Sequence, residues 1–268
     1  MRFRDLLITT AKWASVLSDP LMGRRLGPRL LIYHQVGAGS GLEMDVSPQA
    51  FLRQLDWIQS HGRIVDLETA LIGRSDPDSS EMCVLTFDDG HVGVFEHAFP
   101  TLLRRGLPFT LYLTTGPIER GGSLHDDDRM RLLSWSQVEE MVGSGLATVG
   151  AHSHGHLDMR LHGEEAIRND LVRCDQLLEQ RLGMKPRHFA YPWGHWSQTA
   201  DRLVRERYES AVLGGGKGIS PKDDVHELHR LPIMASDSYV LFRRKMWGGL
   251  RLENALRSLR DSFTGRAE

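Results

Sequence analysis

Short runs rich in β-forming residues recur along this chain with helical patterns between them: RLLIY (29–33), MCVLTF (82–87), FTLYL (109–113), LATVG (146–150), HFAY (188–191), SAVL (210–213) and LHRLPI (228–233). Ser47 followed by Pro48 is a helix-start signal, after which Phe51, Leu55 and Ile58 share one face and Gly62 can end the helix. Ser136 with Glu139 has capping-box spacing ahead of Val138, Met141 and Val142. Ile167, Leu171, Cys174, Leu178 and Leu182 mark a longer helix over 163–182, closed by Gly183. Such alternation favours a largely parallel sheet, and about seven strand–helix units predict closure into a distorted (β/α) barrel of the α/β class. Active sites of such barrels gather at the carboxyl ends of the strands. There the run LTFDDGH (85–91) places Asp88 and Asp89.

With 268 residues, 40% of them hydrophobic, the chain can bury one large core. The expected organisation is an amphipathic N-terminal extension (1–28), a catalytic domain (29–240) and a basic amphipathic C-terminal tail (241–268). Lysine and arginine number 33 against 35 acidic residues, so no global basic field points to nucleic acid. Cys83 and Cys174 lie in apolar contexts without CxxC spacing, as buried free thiols do. Asp5 and Lys12 interrupt any apolar stretch near the N-terminus, which predicts no cleaved signal peptide and a cytoplasmic protein. Leu6, Leu7, Trp13 and Leu17 with Arg2, Arg4 and Lys12 form an amphipathic pattern that would pack on the domain or rest peripherally on the inner membrane face. GGGKG (214–218) lacks the Walker pattern and reads as a loop, and HDDDR (125–129) as a solvated loop.

A second cluster of polar residues, GAHSHGHLDM, follows the strand expected at 146–150 and holds His152, His154 and His156. His152 and His156, four apart, stack on one face if the segment makes a helical turn, and two neutral imidazoles with one carboxylate leave open positions for water, as a catalytic zinc site does. One aspartate of the 88–89 pair would supply that carboxylate and the other stay free as a base. Taken singly, an Asp-Asp-Gly is equally a turn and an i,i+4 histidine pair equally a surface feature; both clusters following expected strands is what favours a metal site.

TFDDG (86–90) and HSHGH (152–156) resemble the first two motifs of the NodB-type polysaccharide deacetylases, carbohydrate esterase family 4, and FAYPWG (189–194) resembles the third in its exopolysaccharide-type branch. The resemblance runs from about Leu30 to Ile233. It implies Asp88 as catalytic base, Asp89, His152 and His156 as metal ligands, and Trp193 with Tyr191 on the substrate and oxyanion side, Trp193 through its main-chain amide. His154 receives no role. In the third motif Ala190 stands where many members have arginine. The leaving-group acid is assigned to His34 in LLIYHQVG, which resembles the branch's N-terminal Tyr-His-x-Val, in preference to His229 in ELHRLPI, where arginine and proline read as structural.

These roles imply hydrolysis of an N-acetyl group: a divalent metal, zinc by default with cobalt, nickel or manganese as substitutes, activates water and polarises the carbonyl, Asp88 takes a proton, and His34 protonates the departing amine. The expected substrate is an N-acetylated polysaccharide or a lipid- or nucleotide-linked glycan precursor. Trp193 and Trp196 would stack on a sugar or simply pack. Alternatives are a cyclic imide or ureide amidohydrolase, an O-deacetylase, or a catalytically silent glycan-binding domain.

Overall fold

Strand β5 (Met82–Asp89) is buried at every position. In the computed structural model, which describes residues 27–124, 128–215 and 218–248, β5 pairs in parallel with β1 (Arg29–Tyr33) on one side and β6 (Phe109–Leu113) on the other. Strands β7 (Ala147–Ala151), β8 (His188–Ala190) and β9 (Ser210–Leu213) follow β6 in order, all parallel. Two short pieces, β2 (Gln35–Val36) and β3 (Asp45–Val46), pair with each other, and β4 (Arg63–Ile64) joins the start of β5.

Closure comes from the run LHRLPI. Its first part, β10 (Leu228–His229), pairs with β9, and its second, β11 (Leu231–Pro232), pairs with β1 at the far end of the sheet. Arg230 alone separates them, so one stretch of chain bonds to both edges and shuts the wall into a ring of β1, β5, β6, β7, β8, β9 and the β10–β11 strand. This is the predicted (β/α) barrel. Among the described residues, closure leaves no long exposed strand edge.

The period of two along each strand sorts side chains to two sides of that wall. Leu30, Val84, Tyr112, Ala190, Val212 and Leu228 form one small cluster, the filling of the barrel. Leu31, Leu85, Phe87, Leu111, Phe189 and Ala211 belong to the larger cluster under the helices. By the same alternation Thr86 and Asp88 share the inner face with Val84, and Arg230 falls among them.

Helix α1 (Pro48–His61) starts where Ser47 Oγ accepts the Ala50 amide, and it buries Phe51, Leu55, Trp57 and Ile58. After α2 (Leu67–Ile72), α3 (Phe99–Arg105) and α4 (Thr115–Glu119) comes α5 (Trp135–Gly143), whose cap corrects the expected one. The residue at the N-cap is Ser134, not Ser136: its hydroxyl accepts the Gln137 amide while Gln137 Oε1 accepts the Ser134 amide, a closed box that Ser136 and Glu139 cannot form from inside the first turns. Helix α6 (Glu164–Leu182) ends at Gly183 in the left-handed region, as its sequence predicts. Helix α7 (Gln198–Arg205) precedes β9. The last, α8 (Tyr239–Met246), crosses the boundary expected at residue 240 and packs on the barrel: Phe242 lies 5.9 Å from the Trp57 ring, and the buried Lys245 ammonium bonds Asp237 at 2.6 Å and the Pro232 carbonyl at 2.8 Å.

Both cysteines are buried free thiols, and burial pushes the Cys83 thiol up to about 12. Among the described residues no helix is long and apolar enough to cross a membrane. The amphipathic pattern of residues 1–26, the acidic run 125–127, residues 216–217 of the glycine-rich loop and the tail from 249 onward lie outside the described residues.

Candidate metal centre

The carboxyl ends of the parallel strands supply the site. β5 ends at Asp88 and Asp89, β7 runs into His152, β8 runs into Tyr191, and His34 follows β1. Asp89, His152 and His156 each offer a ligand atom, and these atoms lie within 4.8 Å of one another. The Nε2 atoms of His152 and His156 stand 3.4 and 3.3 Å from the same oxygen, Asp89 Oδ1, which is buried and accepts no well-formed hydrogen bond. An orphaned carboxylate oxygen facing two imidazole nitrogens is a donor set that fits a divalent cation. His152 Nδ1 is 2.8 Å from the Ala190 carbonyl, and because a carbonyl can only accept, Nδ1 carries the proton and Nε2 keeps its lone pair for a ligand.

Backbone strain collects here. Among the described residues the non-glycine positions with positive φ are Asp89 (71°), Ser153 (70°), His156 (55°) and Trp193 (62°). Left-handed conformations cost L-residues energy and persist where surrounding structure imposes them. At Asp89 the conformation ends strand geometry, so its carboxylate turns to the histidines instead of following the alternation of β5. At His156 it folds the loop back so that the ring comes within 5.1 Å of the His152 ring.

Asp88 faces inward and meets Arg230, with both guanidinium nitrogens 2.6 Å from its two oxygens. Arg230 also donates to Thr86 Oγ1 at 2.9 Å and lies over the Tyr112 ring at 5.3 Å. Burial by itself would raise the Asp88 pKa, but the charges of Arg230 and His152 outweigh it and hold the carboxyl below its ordinary value. Burial likewise opposes ionisation of Asp89, and the surrounding His152, His156 and His91 overcome it, keeping that carboxyl well below the usual range. His34 is half-buried; burial lowers its pKa more than the nearby Asp89 and Asp88 raise it.

Other sequence assignments fall out differently. The Trp193 ring is 57% exposed and leans on His156 at 5.0 Å, and no hydrogen bond among the described residues uses its amide, whereas the Gly194 amide donates to Tyr191 and the His195 amide to Pro192. Tyr191 does not face the site: its side chain is fully buried against Phe189, and its amide donates to the Val212 carbonyl. Its place on the substrate side is therefore corrected to a core position, because the strand alternation at β8 turns this ring away from His152. His154, without an assigned role, bridges Thr115 Oγ1 and Arg173 Nε at 3.0 Å each and pins the histidine loop to α4 and α6. Asp170 accepts the His154 and Gly155 amides, and His195 with Asp158 at 2.9 Å ties that loop to the third motif. His229 Nδ1 bonds the Gly214 carbonyl at 2.8 Å, supporting the loop after β9.

Two residues escaped the sequence reading. Arg230 looked like a structural residue of the closing strand, and its signal was a cation inside an otherwise apolar strand. His91, two residues beyond Asp89, is wholly buried with Nε2 3.3 Å from Asp89 Oδ2. Nothing in its spacing distinguished it from a turn residue.

A sequence profile for polysaccharide deacetylases matches residues 75–209. The poly-beta-1,6-N-acetyl-D-glucosamine N-deacetylase of Staphylococcus epidermidis is 23% identical over 218 residues, covering 76% of this chain and 72% of that protein. Among solved structures, IcaB from Ammonifex degensii superposes with a TM-score of 0.70 at 27% identity over 84% of this chain and 98% of that one. The Streptococcus pyogenes deacetylase PplD, solved in complex with acetate, shares the fold with a TM-score of 0.71 at 21% identity, over 84% of this chain and 99% of that one.

Proposed function

The chain belongs to the polysaccharide deacetylase family, and from that premise we propose that it hydrolyses N-acetyl groups of an N-acetylated glycan, using a divalent metal held by Asp89, His152 and His156. The observation that carries this reading is the buried, hydrogen-bond-deficient Asp89 Oδ1 facing two histidine nitrogens, with a second ionised carboxylate, Asp88, beside it. Zinc suits an Asp-His-His donor set, and cobalt, nickel or manganese share its ligand preferences. When bound, such a cation supplies Lewis acidity that activates water and polarises an acetyl carbonyl.

The chain's own groups do the rest. Asp88 is the base: the bidentate Arg230 keeps it ionised and fixes its plane, and each oxygen retains a lone pair for the proton of the attacking water. Its depressed pKa keeps it ionised and ready to accept a proton. The Trp193 amide, which has no backbone partner among the described residues, is the donor for the oxyanion that forms as the acetyl carbon becomes tetrahedral. His34, near both carboxylates, delivers a proton to nitrogen as the C–N bond breaks. The products are acetate and a free amine on the sugar.

Poly-β-1,6-N-acetylglucosamine is the substrate to try first, because the Staphylococcus epidermidis relative is named for it. Metal-replete protein should release acetate and leave primary amines in equal amounts, and Asp88→Asn should lower the rate by about 100-fold or more. Acetate without new amines would establish O-deacetylation, and no acetate from any N-acetylated glycan would overturn the reading. The proposal includes a cytoplasmic setting with a lipid- or nucleotide-linked glycan, which recovery of the native chain outside the cell would overturn on its own.

A further inference from the structure

His91 is a buried polar side chain that the mechanism above does not use. Its ring is 0% exposed, and neither nitrogen makes a hydrogen bond of standard geometry. Burying an imidazole with both nitrogens unpaired costs free energy that an apolar residue of similar size would avoid. Its Nε2 approaches Asp89 Oδ2, at 3.3 Å. The two metal-facing histidines instead meet the other oxygen, Oδ1. The Asp89 carboxylate thus lies between two imidazoles on one side and a third behind it.

The placement of His91 is set by backbone. Its carbonyl accepts the Val94 amide, and the residues on either side are clamped by 131–133, with the Val92 amide donating to Arg131 and the Leu133 amide to the Gly90 carbonyl. Gly90 adopts φ 88°, and a Cβ there would come within 2.9 Å of Ile118, so the turn that aims the ring is closely packed. His91 is outside the set of ligand atoms within 4.8 Å, which holds Asp89, His152 and His156.

We propose that His91 is a positioning residue for the metal centre: its Nε2, which faces Asp89 Oδ2, donates to that oxygen and so confines the carboxylate to binding a cation through Oδ1 alone. A proton on Oδ2's side removes that oxygen as a ligand, fixes the carboxylate plane and leaves coordination positions for water and substrate. The inference rests on the metal-centre reading of the same site. It assigns to this chain a His–Asp–metal relay placed two residues after the ligand itself.

The test is zinc affinity, measured on the stripped full-length chain by competition with a chromophoric chelator, for wild type, His91→Phe and His91→Gln. Phenylalanine fills the volume and cannot donate; glutamine can. The expected result is about a 10- to 100-fold weaker zinc affinity for His91→Phe, with glutamine recovering most of the loss. The melting temperature of metal-free His91→Phe should be no lower than that of wild type, since a merely structural imidazole would show its loss there. His91→Met makes the same comparison if the phenylalanine variant does not fold. Wild-type affinity in the apolar variant overturns the proposal, as does equal loss in the apolar and glutamine variants. Failure of wild type itself to bind zinc overturns the metal-centre reading together with it.

Discussion

Asp88 and Arg230 are both almost fully enclosed, with side-chain exposures of 4% and 1%, and their energetics differ from those of a surface pair. Each buried charge is acceptable because the other is there, so removing one leaves an uncompensated ion. Arg230→Met should destabilise the metal-free protein by about 3–5 kcal/mol in urea titration, and Asp88→Asn in the same background should recover part of the loss. A stability unchanged by Arg230→Met would show that the pair is not held as described. The neighbouring Gly150 tests the same spot through packing. A Cβ there would lie 2.5 Å from the Tyr112 ring and 2.9 Å from the His188 carbonyl, and Tyr112 is the ring beneath Arg230. Gly150→Ala is expected to cost about 1–3 kcal/mol by overpacking and to reduce acetate release by displacing the guanidinium. Full activity in this variant would mean that the Tyr112 ring yields without moving Arg230.

At the level of elements, the helices carry stability and the strand ends carry the candidate site. The capping box at the start of α5 is far in role from the metal centre, so Ser134→Ala separates the two: denaturation should show a loss of about 1 kcal/mol while the rate of acetate release stays at the wild-type value. A matching fall in rate would mean that α5 helps to hold the site. The loop after β7 behaves in the opposite way. It is strained at Ser153 and His156 and anchored by Asp170 on α6 and by the contact of Asp158 with His195. The helices here tie down a loop whose conformation the chain would not choose alone, and that is how His156 is held within reach of Asp89.

For the whole molecule, a cation that binds the folded barrel and not the unfolded chain adds to stability by mass action. At a free zinc concentration of about 100 times Kd the gain is about 2.7 kcal/mol, or roughly 5–10 °C in Tm for a domain of this size. Chelation should reverse the shift, and Asp89→Ala should abolish it; an identical Tm with and without zinc in wild type would argue that no such ligand set forms. The barrel itself was legible in the sequence, because strand and helix periods alternate and a parallel sheet with this many units closes. That Asp89, His152 and His156 would meet was legible too, because both polar clusters stand directly after apolar strands. Ser134 was missed for Ser136 because cap registers two residues apart look alike in sequence, and Tyr191 was misplaced because strand alternation decides which way its ring turns. Local sequence thus determined which residues could do chemistry and which segments would be strands. Tertiary structure alone decided that Arg230, 142 positions from Asp88, becomes its partner, and that His91 stands behind Asp89. Barrel closure brings the last strand against the first, and no local pattern encodes which charged side chain then arrives inside.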